Sequence, residues 1–524
     1  GAGGISATTG NSVVGGRLSN YPGDTITRCW SSGIVHGLNE LGGILGRNSG
    51  SISNSYSLTY VYSDNNSSYV GGIVGRNWYS TISNSHSMSN IVGTSQGDFG
   101  QNYFTNCYAA YQSAQFVYPN NGTTVTGINV ITGSNRAQSS YTNFDFTNTW
   151  WMKEGFTRPM LRSEARSYVM NSHQLQLMNL NPAGTYVLGR DLDLTLDLID
   201  NLAYYRNIWS GQGFASIGDT ATPFTGSFDG MGHTINSLVI DTPSANAVGL
   251  FGTVAGGSIR NVTLTAADVT GSQDVGMLIG LNDGGVINLA RVDGTSSGST
   301  RVGGLIGRTI GAASISDSAS GGVVNSSGSR AGGLIGEVNS AVASINRSFS
   351  TNTVNGTTQV GGLVGYLVGD VYDAYARGNV NSTSEAGGLI GRIDGGTVSR
   401  VYSRGRVSGT SSLGGLVGVR NGTTNFSHAY WELESSYQAS SPAGTSFTYS
   451  IKTRHSTYAG FDFVDVWGIS VNLSYADTYP ELRSLTSGQY LQTPLYVRAN
   501  PGTSIYGETP GFGYGLFYRP DGTG

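Results

Sequence analysis

One five-residue cassette, made of two glycines, two aliphatic residues and a third glycine, recurs along this chain at nearly constant spacing. The clearest copies begin at Gly303, Gly332, Gly361, Gly387 and Gly414. The steps between them are 29, 29, 26 and 27 residues, and a degenerate copy at Gly276 lies 27 residues earlier. Such a period is typical of repeat architectures, in which one unit cannot bury its apolar face alone.

Each period contains two further apolar pieces. One is an aliphatic residue followed by small polar residues, as in Ile345-Asn346-Arg347-Ser348, and the other follows a glycine, as in Gly378-Asn379-Val380. No amphipathic run of helical length separates them. Three short strands per coil of about 27 residues, stacked at about 4.8 Å, predict an all-β fold, a parallel β-helix or β-solenoid. We expect a right-handed coil because parallel crossover connections are almost always right-handed.

The first 110 residues carry the same patterns, with cassettes at Gly42 and Gly71. When the coils are aligned, Cys29 and Cys107 fill a small-residue slot that serines fill in the two coils between them. The cysteines are therefore expected to lie three coils, or about 14 Å, apart. A disulfide requires Cα atoms within about 7 Å. We predict two unlinked thiols.

A longer segment also recurs. Phe144-Asp145-Phe146 with Trp150 matches Phe461-Asp462-Phe463 with Trp467 at an offset of 317 residues, and a Pro-x-Leu-Arg sequence follows each at an offset of 321. The chain therefore holds the end of one module and then a complete second module. We predict three domains: the carboxyl-terminal part of a first β-helix module over residues 1–163, a complete second one over 164–487, and the start of another β module over 488–524.

The cassettes resemble the GLUG motif, named for its Gly-Leu-aliphatic-Gly core. That motif occurs in large secreted bacterial surface proteins, including filamentous-haemagglutinin-like adhesins and some immunoglobulin A-cleaving metalloproteases. Residues 224–235 resemble the coils that precede GLUG arrays, and residues 494–514 resemble the first strands of MBG-type modules. The resemblance implies GLUG-type coils, an extracellular or cell-surface location and an adhesive role.

Composition excludes some partners. The net charge is −4 with a pI of about 5.9, so no basic field attracts nucleic acid. The sequence contains no stretch of 18 apolar residues, and we predict no membrane span. The chain begins Gly1-Ala2-Gly3-Gly4, which we interpret as a piece of a longer protein.

Residues suited to catalysis are scattered. None of the six histidines stands in a His-Glu-x-x-His arrangement, and we predict no catalytic residue, metal or cofactor. Asp191, Asp193, Asp197 and Asp200 could bind calcium or serve as the acid and base of glycoside cleavage. Their alternation with leucine favours the exposed face of a strand instead. Asp229 and His233 could form a dyad, but the Asp-Gly-x-Gly sequence favours a turn.

Aromatic residues are the best candidates for contacts. One slot of the second pattern is aromatic on successive coils, which predicts a ladder on one face. Its members are Trp30, Tyr56, His86 and Tyr108 in the first array and Phe349, Tyr375 and Tyr402 in the second. An exposed ladder could bind glycans or a partner surface, whereas a buried ladder belongs to a core. We favour a partly buried, structural ladder.

These features predict a non-enzymatic, extracellular structural protein, a segment of a long surface adhesin or filament. Its expected partners are neighbouring copies of itself, because an end coil exposes unpaired backbone groups, and a cell-surface glycan or protein. The rival hypothesis is a carbohydrate-active enzyme, a lyase or hydrolase, or a phage-type spike on the same scaffold. Carboxylates together with Arg or Lys on one face of adjacent coils would favour that rival.

Overall fold

The computed structural model describes most of the chain between residues 19 and 470. The described residues are 5–7, 19–37, 40–63, 70–77, 80–87, 90–92, 103–105, 107–110, 128–131, 136–198, 208–470, 479–485, 491–492, 496–499 and 514–517. The chain forms two compact units. The first contains Gly1–Asn181 and Asp193–Ala215, and the second contains Pro182–Leu192 and Ser216–Gly524. The predicted domain boundaries after residues 163 and 487 stay predictions.

Three parallel sheets run along the second unit. The pre-cassette sheet contains Asn246–Val248, Gln273–Val275, Thr300–Gly303, Ser329–Gly332, Thr358–Gly361, Ser384–Gly387 and Ser411–Gly414. The post-cassette sheet contains Phe251–Ala255, Ile279–Asp283, Ile306–Ile310, Ile335–Val338, Val364–Leu367, Ile390–Ile393 and Val417–Arg420. The long-strand sheet contains Thr185–Leu188, Ser227–Asp229, Thr234–Asn236, Val239–Asp241, Ser258–Thr270, Val286–Gly298, Ser314–Ser316, Ala319–Ser326, Ser344–Ser350, Thr353–Asn355, Asp370–Ala376, Val380–Asn381, Gly396–Ser403, Val407–Ser408, Thr424–Glu432 and Thr445–Phe447.

The first unit has equivalent, shorter parallel sheets. Its long-strand sheet contains Ile5–Ala7, Trp30–Gly37, Tyr56–Ser63, His86–Ser87, Asn90–Val92, Cys107–Ala110 and Ile128–Ile131. A neighbouring sheet contains Thr25–Thr27, Ser51–Ser53, Thr81–Ser83 and Tyr103–Thr105. The strands flanking the cassettes are Leu41–Gly42 and Val70–Gly71 before them, and Ser19–Asn20, Leu45–Asn48 and Val74–Asn77 after them.

The remaining elements are short. Antiparallel pairs join Trp150–Trp151 to Met160–Leu161, Trp467–Ser470 to both Glu481–Leu482 and Leu491–Gln492, and Tyr496–Ala499 to Tyr514–Phe517. Two further strands are Tyr168–Val169 and Leu192–Asp193. The α-helices are Ser172–Gln176, Thr195–Leu198 and Leu433–Ser436, and the 3₁₀ turns are Gln138–Ser140, Arg162–Glu164, Leu177–Leu180, Tyr449–Ile451 and His455–Tyr458. None of the helices in the described ranges has the length and apolar character needed to cross a bilayer.

The strand register confirms the predicted parallel β-solenoid. In the post-cassette sheet each strand pairs in parallel with its equivalent one cassette later. The residues that pair in succession are Ile279, Ile306, Ile335, Val364, Ile390 and Val417. The sequence period is therefore the coil period. The handedness of the coil stays a prediction.

The cassette forms the corner between two sheets. Gly303 ends a pre-cassette strand and Ile306 begins the next post-cassette strand, so Gly304 and Leu305 make the bend. A Cβ on Gly304 would overlap the carbonyl of Gly333 on the adjacent coil and lie 2.7 Å from the Asn352 amide, so only glycine fits there. The cassette leucines point inward with no exposed surface and form one seam, Leu305, Leu334, Leu363, Leu389 and Leu416.

A second corner lies within the other recurring pattern. Here the second residue after the aliphatic one takes a left-handed conformation on coil after coil, with φ of 49° at Asp317, 43° at Arg347, 49° at Asp373 and 53° at Arg400. This conformation costs an ordinary residue about 1–2 kcal/mol. Opposite charges alternate at the corner, since Arg347 pairs with Asp317 at 2.6 Å and Arg400 with Asp373 at 2.7 Å. These ion pairs offset part of the strain.

Both cysteines are free thiols, as predicted. The Tyr56 amide donates to the Cys29 carbonyl, His86 to that of Ser55, and Tyr108 to that of Ser85. Cys29, Ser55, Ser85 and Cys107 therefore occupy one slot on four successive coils.

The last coil of the second unit is closed by residues 433–447. In inner coils the cassette amides donate to the next coil, but at the last cassette Gly415 donates to the Ser440 carbonyl, and Leu416 and Val417 donate to Ser441 Oγ. Trp431, which is 3% exposed, replaces the small residue that earlier coils place beneath the cassette. The cassette amides of this coil therefore have partners within the chain.

Candidate functional site

The predicted aromatic ladder of the first unit is formed. Trp30 pairs with Tyr56, Tyr56 with His86, and His86 with Tyr108 across parallel strands. Ring centroids lie 5.9 Å apart for Trp30 and Tyr56 and 4.9 Å apart for Tyr56 and His86, with interplanar angles of 10°. The rings stack because equivalent positions of successive coils are one strand spacing apart.

The second unit repeats the arrangement. Phe349 and Tyr375 stack at 4.7 Å with an angle of 3°, and Tyr375 and Tyr402 stack at 5.1 Å with an angle of 11°. Tyr430 extends the row by pairing with Tyr402. The ladder belongs to an apolar cluster that also contains Tyr458, Phe461, Trp467 and Leu482, whereas none of the cassette leucines belongs to it.

A segment that follows each array covers its ladder. We call residues 144–162 the first clasp, and residues 461–470 together with 479–483 the second clasp. In the first clasp the Phe144 ring stacks on Trp150 at 4.7 Å, and Trp150 lies 5.4 Å from His86. The Arg162 guanidinium donates to the carbonyls of Trp150 and Phe146 and ties the two strands of the clasp together. The Pro159 carbonyl accepts a hydrogen bond of 2.9 Å from His86 Nε2.

The second clasp makes the same contacts. Phe461 packs on Trp467 at 4.6 Å, and Arg483 donates to the Trp467 carbonyl at 2.8 Å. The Pro480 carbonyl accepts a hydrogen bond of 2.7 Å from the Tyr402 hydroxyl. The long-range sequence repeat therefore encodes an element that docks on an aromatic ladder.

The clasps decide how exposed the ladders are. Tyr56 and Tyr402 are 0% exposed and Tyr108 and Tyr375 are 2% exposed, while Trp30 and Phe349 at the ladder ends keep partial exposure. This burial agrees with the interpretation of the ladder as a partly buried structural element. A glycan or partner contact at Trp30, Tyr56, Tyr108, Phe349, Tyr375 and Tyr402 stays a prediction, and at the four buried members it would require displacement of the clasp.

Buried polar groups join the first ladder to the chain that follows its clasp. The Tyr56 hydroxyl donates to Glu164 at 2.7 Å, and His173 Nδ1 lies 3.0 Å from both groups. Burial raises the pKa of Tyr56 well above its ordinary value, and the Glu164 carboxylate raises it further. Burial also lowers the pKa of His86 to about 3, although its hydrogen bond to Pro159 opposes the shift. Both side chains are therefore neutral at pH 7.

Arg377 occupies the corresponding polar position in the second unit. It donates to the Tyr402 hydroxyl, to Glu481 and to the Pro480 carbonyl, each at 2.9–3.0 Å. Burial opposes its charge, but the neighbouring tyrosines and Glu481 raise the pKa of Arg377. Neither Arg377 nor the Glu164–His173 pair was predicted. Glu481 lies 104 residues from Arg377, and Tyr56 lies 108 residues from Glu164, so only the fold brings them together.

A charged corner lies outside the second array, where the pre- and post-cassette sheets meet. Arg301 forms an ion pair with Asp274. Glu337 forms ion pairs with Arg330 and, at 3.4 Å, with Arg308. Arg392 forms ion pairs with Asp394 at 3.0 Å and with Glu385 at 3.7 Å. Carboxylates and arginines thus share one face of adjacent coils, which is the arrangement that would favour the carbohydrate-active rival.

The charges of this corner neutralise one another. Glu337 has no exposed side-chain surface and lies between two arginines. Burial alone would lower the pKa of Arg301, but its hydrogen bond to Asp274 raises it. Burial alone would raise the pKa of Asp394, but Arg392, Tyr366 and Asn421 lower it. Groups held in their charged forms in this way are poorly suited to proton transfer, which needs a pKa near the working pH.

The other candidate groups do not converge. Asp229 accepts from Arg260 and Asn261, whereas His233 contacts Asp191 at 3.1 Å, so no Asp229–His233 dyad forms. Leu192 and Leu194 are buried, while Asp191 and Asp193 are exposed, as expected for a strand face. The expectation is wrong for Asp197, which lies in the helix Thr195–Leu198. Asp200 lies outside the described residues. In the part of the chain that the structure describes, no group of three or more His, Cys, Asp or Glu residues could hold a metal ion.

Comparison with known proteins supports the motif read from the cassettes. The model of the GLUG motif matches residues 66–92, which include the cassette at Gly71. The chain carries a GLUG motif. Halomucin from Haloquadratum walsbyi is 46% identical over 95 residues, a match that spans 17% of this chain and 1% of halomucin. Likeness to filamentous-haemagglutinin-like adhesins and to MBG modules stays a prediction.

Two solved structures show a limited similarity to this chain. An IgA1 protease has a TM-score of 0.40 at 17% identity, covering 58% of this chain and 25% of that protein. An immunoglobulin A1 protease from Bacteroides ovatus, described as putative, has a TM-score of 0.37 at 18% identity, covering 60% of this chain and 92% of that protein. At these values the likeness carries no inference about activity.

Proposed function

We propose that this chain is a non-enzymatic, structural segment of an extracellular surface protein. The observation that carries the proposal is the use made of its chemistry-bearing side chains. Arginines and carboxylates of the second unit pair with each other along the coils, and the large aromatic residues pack under the clasps. The GLUG motif and the similarity to halomucin support an extracellular setting.

The finer proposal is adhesion. A stack of coils advances about 4.8 Å per coil, so tandem modules would hold a contact surface away from the cell. Candidate partners are a cell-surface glycan or protein and neighbouring copies of this chain. Because residues 433–447 occupy the cassette amides of the last coil, self-association at that position would use side chains of the outer faces rather than an added strand.

Surface location is tested by brief protease treatment of intact cells of the source organism. Peptides of the chain should be released at a rate similar to a known surface protein, while a cytoplasmic marker stays intact. Recovery of the chain only after lysis would refute the proposal. Adhesion is then tested by binding of the purified chain to glycan arrays, and self-association by light scattering across a concentration series.

The charged corner supports one alternative, a carbohydrate-active enzyme. The purified chain would be incubated with acidic and neutral polysaccharides, and the release of reducing ends or unsaturated products would be followed. We expect none. Turnover that disappears in Glu337→Gln and Arg301→Gln variants, both still folded, would establish the enzyme instead.

A further inference from the structure

Three asparagines stand in a row on the outside of the second array, at the end of the long-strand sheet. Asn325 pairs with Asn355 and Asn355 with Asn381 on successive coils. The Asn355 amide donates to Asn325 Oδ1 and the Asn381 amide to Asn355 Oδ1, both at 2.9 Å. We call these three residues the asparagine row. Asn325 and Asn355 are partly exposed and Asn381 is exposed.

Each member of the row begins an Asn-x-Ser/Thr triplet with a middle residue other than proline. The triplets are Asn325-Ser326-Ser327, Asn355-Gly356-Thr357 and Asn381-Ser382-Thr383. Such a triplet is the acceptor for sugar transfer to asparagine in secreted proteins. The hydroxyl residues two positions on, Ser327, Thr357 and Thr383, are all exposed. The fold therefore presents both parts of each triplet to solvent.

Two other triplets of the same array lie in different environments. In Asn346-Arg347-Ser348 the serine has no exposed surface and donates to the Asn346 carbonyl at 2.9 Å. In Asn261-Val262-Thr263 the asparagine amide donates to Asp229 at 3.1 Å. These two triplets provide internal controls that have the same sequence pattern in a different environment.

We propose that the asparagine row is a site of N-glycosylation, an inference that rests on the extracellular location proposed above. A bond forms between sugar C1 and asparagine Nδ2 while the bond from C1 to the diphosphate of a lipid-carried glycosyl donor breaks, and the amide loses one proton. An asparagine amide has two N–H groups. The row uses one of them, so the sugar takes the place of the other and the hydrogen bonds along the row persist.

The spacing of the row predicts unequal occupancy. Adjacent coils are about 4.8 Å apart, so Asn325 and Asn381 are separated by roughly 9.6 Å with Asn355 between them. Sugars on the two outer residues would crowd the middle one. We therefore expect higher occupancy at Asn325 and Asn381 than at Asn355.

Trypsin separates the relevant sites, because cleavage at arginine places Asn325 in Thr309–Arg330, Asn355 in Ser348–Arg377 and Asn381 in Gly378–Arg392. The control Asn346 falls in Ala331–Arg347. Native chain released from the cell surface would be digested and mapped by electron-transfer fragmentation, which localises sugars to single residues. The expected result is a sugar mass on Asn325 and Asn381, less on Asn355 and none on Asn346.

Variants expressed in the source organism distinguish a sugar attached at Asn381 from a purely structural role of the asparagine row. Thr383→Ala keeps the Asn381 amide but destroys the triplet and should abolish the sugar on Gly378–Arg392, whereas Thr383→Ser should keep it. Peptides without sugar, sugars only on hydroxyl residues, or an Asn346 occupied as fully as Asn381 would overturn the proposal. Because the material comes from the cell surface, these outcomes would leave the proposed location intact; absence from the surface would refute that location instead.

Discussion

Leu363 lies in the middle of the leucine seam, between Leu334 and Leu389, and has no exposed surface. Its amide donates to the Leu389 carbonyl at 2.8 Å and its carbonyl accepts from the Leu334 amide at 2.9 Å, so the backbone is held by both neighbouring coils. Replacing it by alanine removes three carbon atoms, worth about 2.4 kcal/mol at about 0.8 kcal/mol per buried methylene. A cavity adds to this loss because stacked strands cannot collapse freely. We expect Leu363→Ala to lower the free energy of unfolding by about 2–5 kcal/mol.

The measurement is urea denaturation of the purified chain, followed by tryptophan fluorescence, together with hydrogen exchange of the flanking coils. Exchange is needed because repeat arrays can unfold in parts. Val342, which is 72% exposed, gives a matched control. Val342→Ala should change stability by less than about 0.5 kcal/mol. A cost at Leu363 no larger than that of the control would show that the seam is not the core of the coil.

Three further changes test separate parts of the structure. Gly304→Ala should lower the free energy of unfolding of the second unit by more than about 2 kcal/mol, because the added Cβ would overlap the next coil. In the control Gly395→Ala the added Cβ would lie 3.3 Å from its nearest neighbour, so this change should cost much less in the same denaturation assay. Burial lowers the pKa of His86 from 6.5 to about 3, so the folded first unit binds fewer protons than the unfolded chain between these values. The contribution of neutral His86 to the free energy of unfolding is complete above pH 6.5 and is lost as the pH falls towards 3. His86→Phe should therefore make the urea midpoint depend less on pH in this range. The same substitution at the exposed His36 should not have this effect. Mass spectrometry of an unreduced digest should find Cys29 and Cys107 unlinked, and a disulfide between them would contradict the coil register.

The sequence was sufficient to predict the coil, because glycine and aliphatic residues at a fixed period report directly on corners and core. The Gly303–Gly307 cassette and the Cys29 slot both fell where expected. The left-handed corners at Asp317 and Arg347 were missed, although asparagine and aspartate recur in that slot and visit this conformation most readily. Ion pairs such as Arg301 with Asp274 were also missed, since they join residues that only the coil register brings together.

The docking of the clasps was harder to predict for a different reason. The repetition of Phe144 and Trp150 at Phe461 and Trp467 marked a recurring element, but not the surface it would contact. That information is carried by Pro159 and Pro480, whose carbonyls accept from ladder side chains. A carbonyl acceptor is common to every residue and leaves no mark in the sequence.

The clasps also determine which faces remain for recognition. A row of stacked aromatic rings would be a large exposed apolar patch, which soluble proteins rarely keep without a partner. Here the chain supplies its own cover, and Trp467 is fully buried against Tyr375 and Tyr402. The charged corner and the asparagine row lie outside this cover. We therefore expect substitutions at Arg392 or Asn381 to alter binding of a partner or glycan, while substitutions in the ladder should act first on stability.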